Sequence, residues 1–265
     1  MIYERLSLTD DSMIASYEEH IQRYTFALEY CRGKRVLDAG CGTGYGSYFL
    51  AANGAKSVLA VDISDEALNE AGQNYRLPNL RYERMDVEIL GDNPALRGQF
   101  DVVVNFENLE HLPHPEKLVS GVAAILQSGG ILITSTPNGA ISALDKHGKL
   151  LNAFHVKEFT QDEFRSLLSP HFDQLAMYGQ WLTHGGVLRK LRARELWEQL
   201  CEAYFNPMSR LGRMMKRVLG KQVAGPPRLT SGADAFVGDH VIHPLELEVF
   251  RWAPEVLIAV CEKKN

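Results

Sequence analysis

One short stretch constrains the fold of this chain more than any other. Residues 36–46 read Val-Leu-Asp-Ala-Gly-Cys-Gly-Thr-Gly-Tyr-Gly, and a second apolar run, residues 57–61, ends at Asp62, twenty positions after Gly42. A strand, a glycine-dense turn, a helix and a second strand that ends in a carboxylate are typical of a nucleoside-binding βαβ unit. The sequence therefore predicts a nucleoside site at the end of the first strand.

The spacing of the glycines argues against two other nucleotide sites. A dinucleotide fold uses G-x-G-x-x-G, and its third glycine position is occupied here by Tyr45. Asp38, at the end of the strand, would repel a pyrophosphate and attract a cation. A Walker loop is excluded because no Gly-Lys-Ser/Thr follows. A dinucleotide-dependent oxidoreductase is therefore disfavoured.

This segment resembles D/E-x-G-x-G-x-G, the first motif of the class I S-adenosylmethionine-dependent methyltransferases. The resemblance implies S-adenosylmethionine as cofactor and S-adenosylhomocysteine as product. Asp38 would face the ammonium of the methionine moiety, directly or through water, and Asp62 would accept hydrogen bonds from both ribose hydroxyls. Gly40, Gly42 and Gly44 would let the cofactor pass close to the main chain. The alternative is a glycine-rich turn before an ordinary helix.

Further positions extend the cofactor site that the resemblance implies. Met85-Asp86-Val87 fits the third family motif, where the carboxylate of Asp86 accepts from the adenine amine and a main-chain amide serves a ring nitrogen. The alternative is that Asp86 caps the following helix. Asn105 would offer its main chain to the methionine end, and Ile63 and Val87 complete the predicted cofactor site.

The N-terminal region carries a second resemblance. Residues 19–27 are similar to the E-H-x-x-R-Y-x-F-A helix of bacterial methyltransferases linked to glycan gene sets. Residues 1–32 would then form a helical cap over the cofactor, with Arg23 toward the methionine carboxylate and Tyr24 or His20 nearby. The alternative is that Arg23 is a solvated charge and Tyr24 a core residue.

The segment after the fourth predicted strand, Phe106–Leu112, resembles the E-x-x-E-H segment of ubiquinone-biosynthesis O-methyltransferases and their sugar-modifying relatives. His111 is the predicted general base, because the ordinary pKa of histidine lies near neutrality. Glu110 would orient His111 or face the acceptor, and an acid-rich helix start is the alternative. Glu107, Glu110 and His111 could instead hold a divalent ion such as Mg²⁺ that chelates a diol.

A later segment supplies a second candidate imidazole. Residues 152–160 resemble the N-P-F-H-x-x-E-F/Y-T stretch of the glycan-associated group, with Ala153 in place of the usual proline. In that frame His155 enters the acceptor pocket as a second catalytic or substrate-binding residue. The alternative is a loop histidine that is hydrogen-bonded to the backbone.

Alternation of strand-like and helix-like segments predicts an α/β fold with a doubly wound, mostly parallel sheet. The fifth strand is predicted over Ile131–Ser135, after a helix that Ser128-Gly129-Gly130 closes. Family resemblance implies seven strands in the order 3-2-1-4-5-7-6, with the last antiparallel, in one methyltransferase domain over residues 1–265. Residues 181–252 do not fit this pattern and are predicted to form a helical insertion, a lid over the acceptor site, between strands six and seven.

Charge and composition limit the possible partners. The net charge of −5 conceals a basic segment, residues 182–228, with ten Lys or Arg against three Glu. An acidic body with one basic segment makes nucleic-acid binding unlikely. The basic segment is interpreted as a solvated face, as a clamp for the diphosphate of a nucleotide-linked or lipid-linked sugar, or as a membrane-surface helix within residues 185–221.

The remaining features predict a cytoplasmic protein. The apolar stretches are shorter than the roughly 18–20 residues of a membrane span. The N-terminus lacks a signal-peptide layout, and the four cysteines are scattered without paired spacing.

Together these features predict an enzyme that transfers methyl from S-adenosylmethionine to a hydroxyl of a small molecule, most readily a sugar or a glycosylated or nucleotide-linked acceptor. Four alternatives stay open. They are N-methylation of an amino sugar, C-methylation, O-methylation of a quinone precursor, and a non-catalytic subunit that binds the cofactor.

Overall fold

The computed structural model describes residues 14–142, 144–145, 147–182, 240–245 and 253–264. The helices are α1 Ile14–Cys31, α2 Tyr45–Ala52, α3 Asp65–Asn74, α4 Pro115–Ile125 and α5 Gln161–Leu168. The strands are β1 Arg35–Ala39, β2 Ser57–Asp62, β3 Leu80–Arg84, β4 Phe100–Asn105, β5 Leu126–Pro137, β6 Phe172–Leu182, β7 His240–Pro244 and β8 Val256–Lys263. Over these ranges, no helix combines the length and apolarity needed to cross a membrane.

The strands form one sheet in the order β3-β2-β1-β4-β5-β8-β6-β7. The five strands β1 to β5 pair in parallel, whereas β8 runs antiparallel to both β5 and β6. With β8 as the seventh family strand, the predicted order 3-2-1-4-5-7-6 is confirmed. Strand order reverses between β1 and β4, and ligands of doubly wound sheets bind at such a switch point, beyond the carboxyl ends of the strands.

Each face of the sheet carries its own hydrophobic core, because neighbouring side chains of a strand point to opposite faces. Val36 of β1 packs in the cluster that contains Tyr24 of α1 and Leu50 of α2. The next residue, Leu37, packs in the cluster that contains Leu118 of α4 and Phe164 of α5. The helices therefore cover the central strands on both sides and leave the carboxyl edge for the site.

Two helices begin at side-chain caps. Ser64 caps α3 by accepting from the Ala67 amide, and Thr160 and Glu163 form a reciprocal capping box on α5. The cap of α3 follows directly on the Asp62 turn, so the cap also fixes that edge of the site.

Two regions differ from the prediction. Strand β5 begins at Leu126, directly after α4, and a register shift between Phe100 and Val102 accommodates the extra residues. The prediction that Ser128-Gly129-Gly130 closes a helix is therefore wrong, because these residues lie within β5.

The predicted insertion, residues 181–252, contains two stretches of strand. Its start lies in β6, and β7 pairs with β6 in antiparallel register from Tyr178 to Leu182. Its other residues, 183–239 and 246–252, lie outside the described part of the chain, as does the predicted membrane-surface segment 185–221.

The contact between α1 and α2 depends on Gly46. A Cβ placed on Gly46 would lie 2.0 Å from Cζ of Tyr24, so Gly46→Ala must displace that ring. We expect Gly46→Ala to lower the free energy of unfolding in urea by about 1–3 kcal/mol. Gly72→Ala in α3 is the control, because its Cβ would meet no atom within 4 Å, and it should gain about 0.5–1 kcal/mol. Wild-type stability of Gly46→Ala would contradict this packing.

Candidate active site

A cavity of about 590 Å³ opens at the carboxyl ends of β1, β2 and β4. Its walls come from α1, from the turns that follow these three strands and β3, and from residues 153–154. The lining residues are His20, Tyr24, Gly40, Cys41, Gly42, Thr43, Tyr45, Asp62, Ile63, Asp86, Glu88, Phe106, Glu107, Asn108, His111, Leu112, Pro113, Ala153 and Phe154. The cavity therefore lies at the switch point of the sheet.

The glycine turn after β1 has a backbone that other residues adopt rarely. Gly40, Gly42 and Gly44 have φ angles of 82°, 53° and 83°. A Cβ on Gly40 would lie 2.8 Å from Cγ of Asn108, whereas a Cβ on Gly42 would meet nothing within 4 Å. Gly40 and Gly42 line the cavity, while Gly44 packs against Ala71 and Tyr82. The turn thus presents bare main chain to the cavity at Gly42.

Asp62 is held in place by the main chain around it. Its Oδ2 accepts from the Gly42 amide and its Oδ1 from the Ser64 amide, both at 2.9 Å. These bonds fix the carboxylate at the cavity wall, next to the half-exposed Ile63. This is the position in which a carboxylate can accept hydrogen bonds from a diol.

Asp86 caps the short 3₁₀ helix Val87–Asp92 by accepting from the Glu88 amide at 2.9 Å. The capping alternative is therefore present in the structure. Asp86 also lines the cavity, whereas the side chain of Val87 is buried in the core. The capping bond and a contact with a ligand are compatible, since a carboxylate offers two oxygens.

Asp38 is fully buried and does not belong to the cavity wall. It accepts hydrogen bonds from Oγ of Ser47 at 2.6 Å and from the hydroxyl of Tyr24 at 3.1 Å. Burial raises the pKa of Asp38 to about 7, against the opposing effect of these two hydrogen bonds. Asp38 thus joins β1 to both α1 and α2, and Tyr24 connects it to the cavity.

Arg23 is also fully buried, which excludes the interpretation of a solvated charge. Its Nη1 donates to Oε1 of Gln180 at 2.6 Å and to Oε1 of Glu19 at 3.2 Å. Its Nε and Nη2 have no hydrogen-bond partner among the described residues. Nε and Nη2 lie on the same edge of the guanidinium. Elsewhere in this protein, Arg35 uses the same pair of nitrogens to bind both oxygens of the Asp101 carboxylate. Arg23 therefore offers a free, buried fork suited to a carboxylate.

Asn105 lies at the carboxyl end of β4 and bonds to the neighbouring strands on both sides. Its Nδ2 donates to the Ala39 carbonyl at 2.7 Å, and its Oδ1 accepts from Oγ1 of Thr134 at 3.2 Å. The side chain is buried and does not line the cavity. Its role in the structure is to link β1, β4 and β5.

The turn after β4 is strained at Glu107, where φ is 47°, a positive value that no other non-glycine residue has in the described part of the chain. Oε1 of Glu107 accepts from Oγ of Ser135 at 2.7 Å. Glu110 is buried, and its Oε2 accepts from Oγ1 of Thr136 at 3.2 Å. Burial, followed by the charge of Glu107, raises the pKa of Glu110 well above its usual value, which favours the neutral acid.

His111 lines the cavity, and one of its ring nitrogens is committed to the main chain. Its Nδ1 lies 3.1 Å from the carbonyl oxygen of Phe154. A carbonyl only accepts, so Nδ1 carries the hydrogen and the neutral ring keeps its lone pair on Nε2. That nitrogen lies 3.9 Å from Oε1 of Glu110. His111 is therefore held in the tautomer that can accept a proton at Nε2.

His155 lies behind His111 and is not part of the cavity wall. The centroids of the two rings are 5.0 Å apart. Its Nδ1 lies 2.6 Å from Oε1 of Glu158, and its Nε2 lies 2.9 Å from Nδ2 of Asn152. Both nitrogens are thus bonded to side chains of the same segment rather than to the backbone.

The structure groups potential metal ligands differently from the sequence prediction. Donor atoms of Glu110, His111 and His155 all lie within 4.8 Å of one another. Glu107, which the sequence places with Glu110 and His111, is instead bonded to Ser135.

Sequence reasoning missed several residues around the site. Asn152 and Glu158 belong to the motif that contains His155, and their spacing to it was the available signal. Gln180 had a different signal, a buried amide within the otherwise apolar end of β6.

Comparison with known proteins supports the same family. Residues 13–202 match the family described as "Methyltransferase domain". An S-adenosylmethionine-dependent methyltransferase of Mycobacterium tuberculosis is 36% identical over 179 residues, which cover 67% of this chain and 62% of that protein. The ubiquinone biosynthesis O-methyltransferase of Psychrobacter cryohalolentis is 41% identical over 110 residues, 40% of this chain and 42% of the relative. The matched region thus spans less than two thirds of either relative.

The fold is also found in solved structures. The S-adenosylmethionine-dependent methyltransferase of Mesorhizobium loti superposes with a TM-score of 0.54 at 18% identity, covering 91% of this chain and 98% of the other. At that identity the likeness concerns the fold alone, and the match over residues 13–202 carries the assignment. The chain belongs to the S-adenosylmethionine-dependent methyltransferase family, and its cofactor is S-adenosylmethionine.

Proposed function

We propose that this protein transfers the methyl group of S-adenosylmethionine to a hydroxyl of a small molecule, with His111 as the general base. The observation that carries the proposal is the 3.1 Å contact between Nδ1 of His111 and the Phe154 carbonyl at the cavity wall, which leaves Nε2 able to accept a proton. A hydroxyl nucleophile needs a base for its proton, and a neutral imidazole with a fixed lone pair meets that need.

The residues present fit the cofactor at both of its polar ends. Asp62 would accept from the ribose hydroxyls, with Ile63 and Asp86 near the adenine, and the open side of Gly42 would let the cofactor approach the main chain. The free Nε and Nη2 of Arg23 would bind the carboxylate of the methionine moiety. The ammonium would lie toward Tyr24 and the buried Asp38 behind it.

When bound, the cofactor would supply a sulfonium methyl group that passes in line to the acceptor oxygen, while the neutral thioether of S-adenosylhomocysteine leaves. The chain's own task is to hold that oxygen on the methyl axis, which can contribute up to roughly 7–11 kcal/mol. Nε2 of His111 takes the hydroxyl proton as the oxygen–carbon bond forms. Burial raises the pKa of Glu110, which favours its neutral form beside His111.

Two classes of small molecule are supported as the acceptor. A sugar, or a glycosylated or nucleotide-linked compound, is supported by the resemblance of residues 19–27 and 152–160 to glycan-associated methyltransferases. A quinone precursor is supported by the relative from Psychrobacter cryohalolentis. Incubation with methyl-labelled cofactor and a panel of sugar nucleotides, amino sugars and catechols separates these classes. Transfer to amines alone would favour N-methylation, and binding without transfer would favour a non-catalytic subunit.

A divalent ion is the second candidate, because donor atoms of Glu110, His111 and His155 converge within 4.8 Å. Such an ion would lower the pKa of a chelated hydroxyl. His155 would then have to give up one of its two bonds, to Asn152 or to Glu158. The base mechanism predicts full turnover in EDTA, whereas loss of turnover that Mg²⁺ restores would assign an ion to these residues.

For the cofactor site, we expect Asp62→Ala to weaken binding of S-adenosylhomocysteine by about tenfold to a hundredfold. Each charged hydrogen bond to a ribose hydroxyl contributes roughly 1.5–3 kcal/mol. Calorimetric titration measures this directly. Asp65→Ala is the control, since Asp65 is exposed and does not line the cavity. Unchanged affinity in Asp62→Ala would remove Asp62 from the site.

For the acceptor site, we expect His111→Ala to lower the rate of methyl transfer roughly 10²- to 10⁴-fold while leaving affinity for S-adenosylhomocysteine intact. The matched control is His114→Ala, an exposed histidine three residues away that does not line the cavity. Rates are followed by label transfer to the acceptor found in the panel. If His111→Ala keeps most of the activity, His111 is not the base.

A further inference from the structure

We propose that Asn152, His155 and Glu158 are positioning residues that hold His111 in its catalytic tautomer. This inference rests on the proposed function, since it gives His111 the role of base. It assigns Asn152 and Glu158, which have no role in the sequence prediction, and it makes His155 a positioning residue instead of a second catalytic imidazole.

We call residues 152–158 the buttress segment. The hydrogen bonds within it determine which atom donates and which accepts in each bond. Oδ1 of Asn152 accepts from the Phe154 amide at 3.0 Å, so Nδ2 of Asn152 is the group that faces His155. An amide nitrogen only donates, and Nε2 of His155 therefore accepts. Nδ1 of His155 must then carry the hydrogen, which it donates to Oε1 of Glu158 at 2.6 Å. The hydroxyl of Ser142 donates to the other oxygen of Glu158.

This chain of bonds holds Phe154, the residue whose carbonyl contacts the base. Asn152 holds the amide of Phe154, and the carbonyl of the same residue accepts from Nδ1 of His111. His155 and Glu158 hold Asn152 in turn. Loss of any member of the chain would loosen the Phe154 carbonyl, the group that keeps the hydrogen of His111 on Nδ1.

The buttress segment is also attached to the turn that carries the base. The amides of Val156 and Lys157 donate to the Glu110 carbonyl at 2.7 and 3.2 Å. The segment therefore binds the Glu110–His111 turn through the main chain on one side and through the His111 ring on the other. A change at Glu158 can therefore alter the position of the Phe154 carbonyl and, through it, the orientation of the His111 ring.

The test is the ring tautomer of His111, read from ¹⁵N chemical shifts of histidine-labelled protein saturated with S-adenosylhomocysteine. The His111→Gln variant assigns the signals. We expect wild-type protein to carry the hydrogen on Nδ1. In Glu158→Ala and Asn152→Ala, the ratio of the Nδ1–H to the Nε2–H tautomer should fall roughly 3- to 10-fold, the factor expected for one weakened hydrogen bond.

Two matched variants separate positioning from general damage. Glu158→Gln keeps an oxygen that accepts from Nδ1 of His155, and should restore the wild-type tautomer. Lys157→Ala removes a half-exposed side chain of the same segment but keeps its amide bond to Glu110, and should change nothing. Affinity for S-adenosylhomocysteine should be equal in all variants, which confirms that each is folded.

An unchanged tautomer ratio in both Glu158→Ala and Asn152→Ala would overturn the proposal, as would an equal shift in Lys157→Ala. Either result leaves the proposed function standing as long as His111→Ala abolishes methyl transfer. If His111→Ala retains methyl transfer, His111 is not the base, independently of the tautomer ratio.

Discussion

The buried carboxylate of Asp38 is the interaction on which the rest of the site depends. It lies at the end of β1 and receives hydrogen bonds from Tyr24 of α1 and Ser47 of α2. The Tyr24 ring also packs edge-on against Phe106, at 5.0 Å between centroids, just beyond β4. One carboxylate thus joins α1 and α2 to the end of β1, and Tyr24 extends this contact to the turn after β4. Burial raises the pKa of Asp38 to about 7, because a low-dielectric interior disfavours the charged form.

The cavity has two chemically different halves. The glycine turn and Asp62 form a half built from main chain and a fixed carboxylate, which suits a nucleoside. The other half comes from the strained turn at Glu107 and from Phe154, and its polar groups are acids and an imidazole. In α1, Arg23 donates from Nη1 to Gln180, and its Nε and Nη2 have no hydrogen-bond partner among the described residues. This division supports the proposal that different residues bind the cofactor and take the acceptor proton.

The sequence patterns that predict the nucleoside half of the cavity are local. A glycine with positive φ and an acid at a strand end each leave a mark within a few residues, as Gly42 and Asp62 show. The alternation of short segments predicted a doubly wound sheet. The strand order came from the family resemblance, and the observed sheet confirms it.

The missed features depend on contacts between distant segments. The bond from Arg23 to Gln180 spans 157 residues, and that from His111 to Phe154 spans 43. No periodicity links such residues, so the sequence could name His111 and His155 but could not show that only His111 borders the cavity. The early start of β5 was missed because glycines such as Gly129 and Gly130 are found both at the ends of helices and at irregular positions within strands.

The most direct test of this account is calorimetric comparison of S-adenosylhomocysteine with 5′-methylthioadenosine, which lacks the amino-acid end. Wild-type protein should bind S-adenosylhomocysteine at least about tenfold more tightly, because in the proposed orientation only that ligand brings a carboxylate to Nε and Nη2 of Arg23. Arg23→Met should bind both ligands with similar affinity. Equal binding of the two by wild-type protein, or a preference that survives in Arg23→Met, would contradict the proposed orientation of the cofactor.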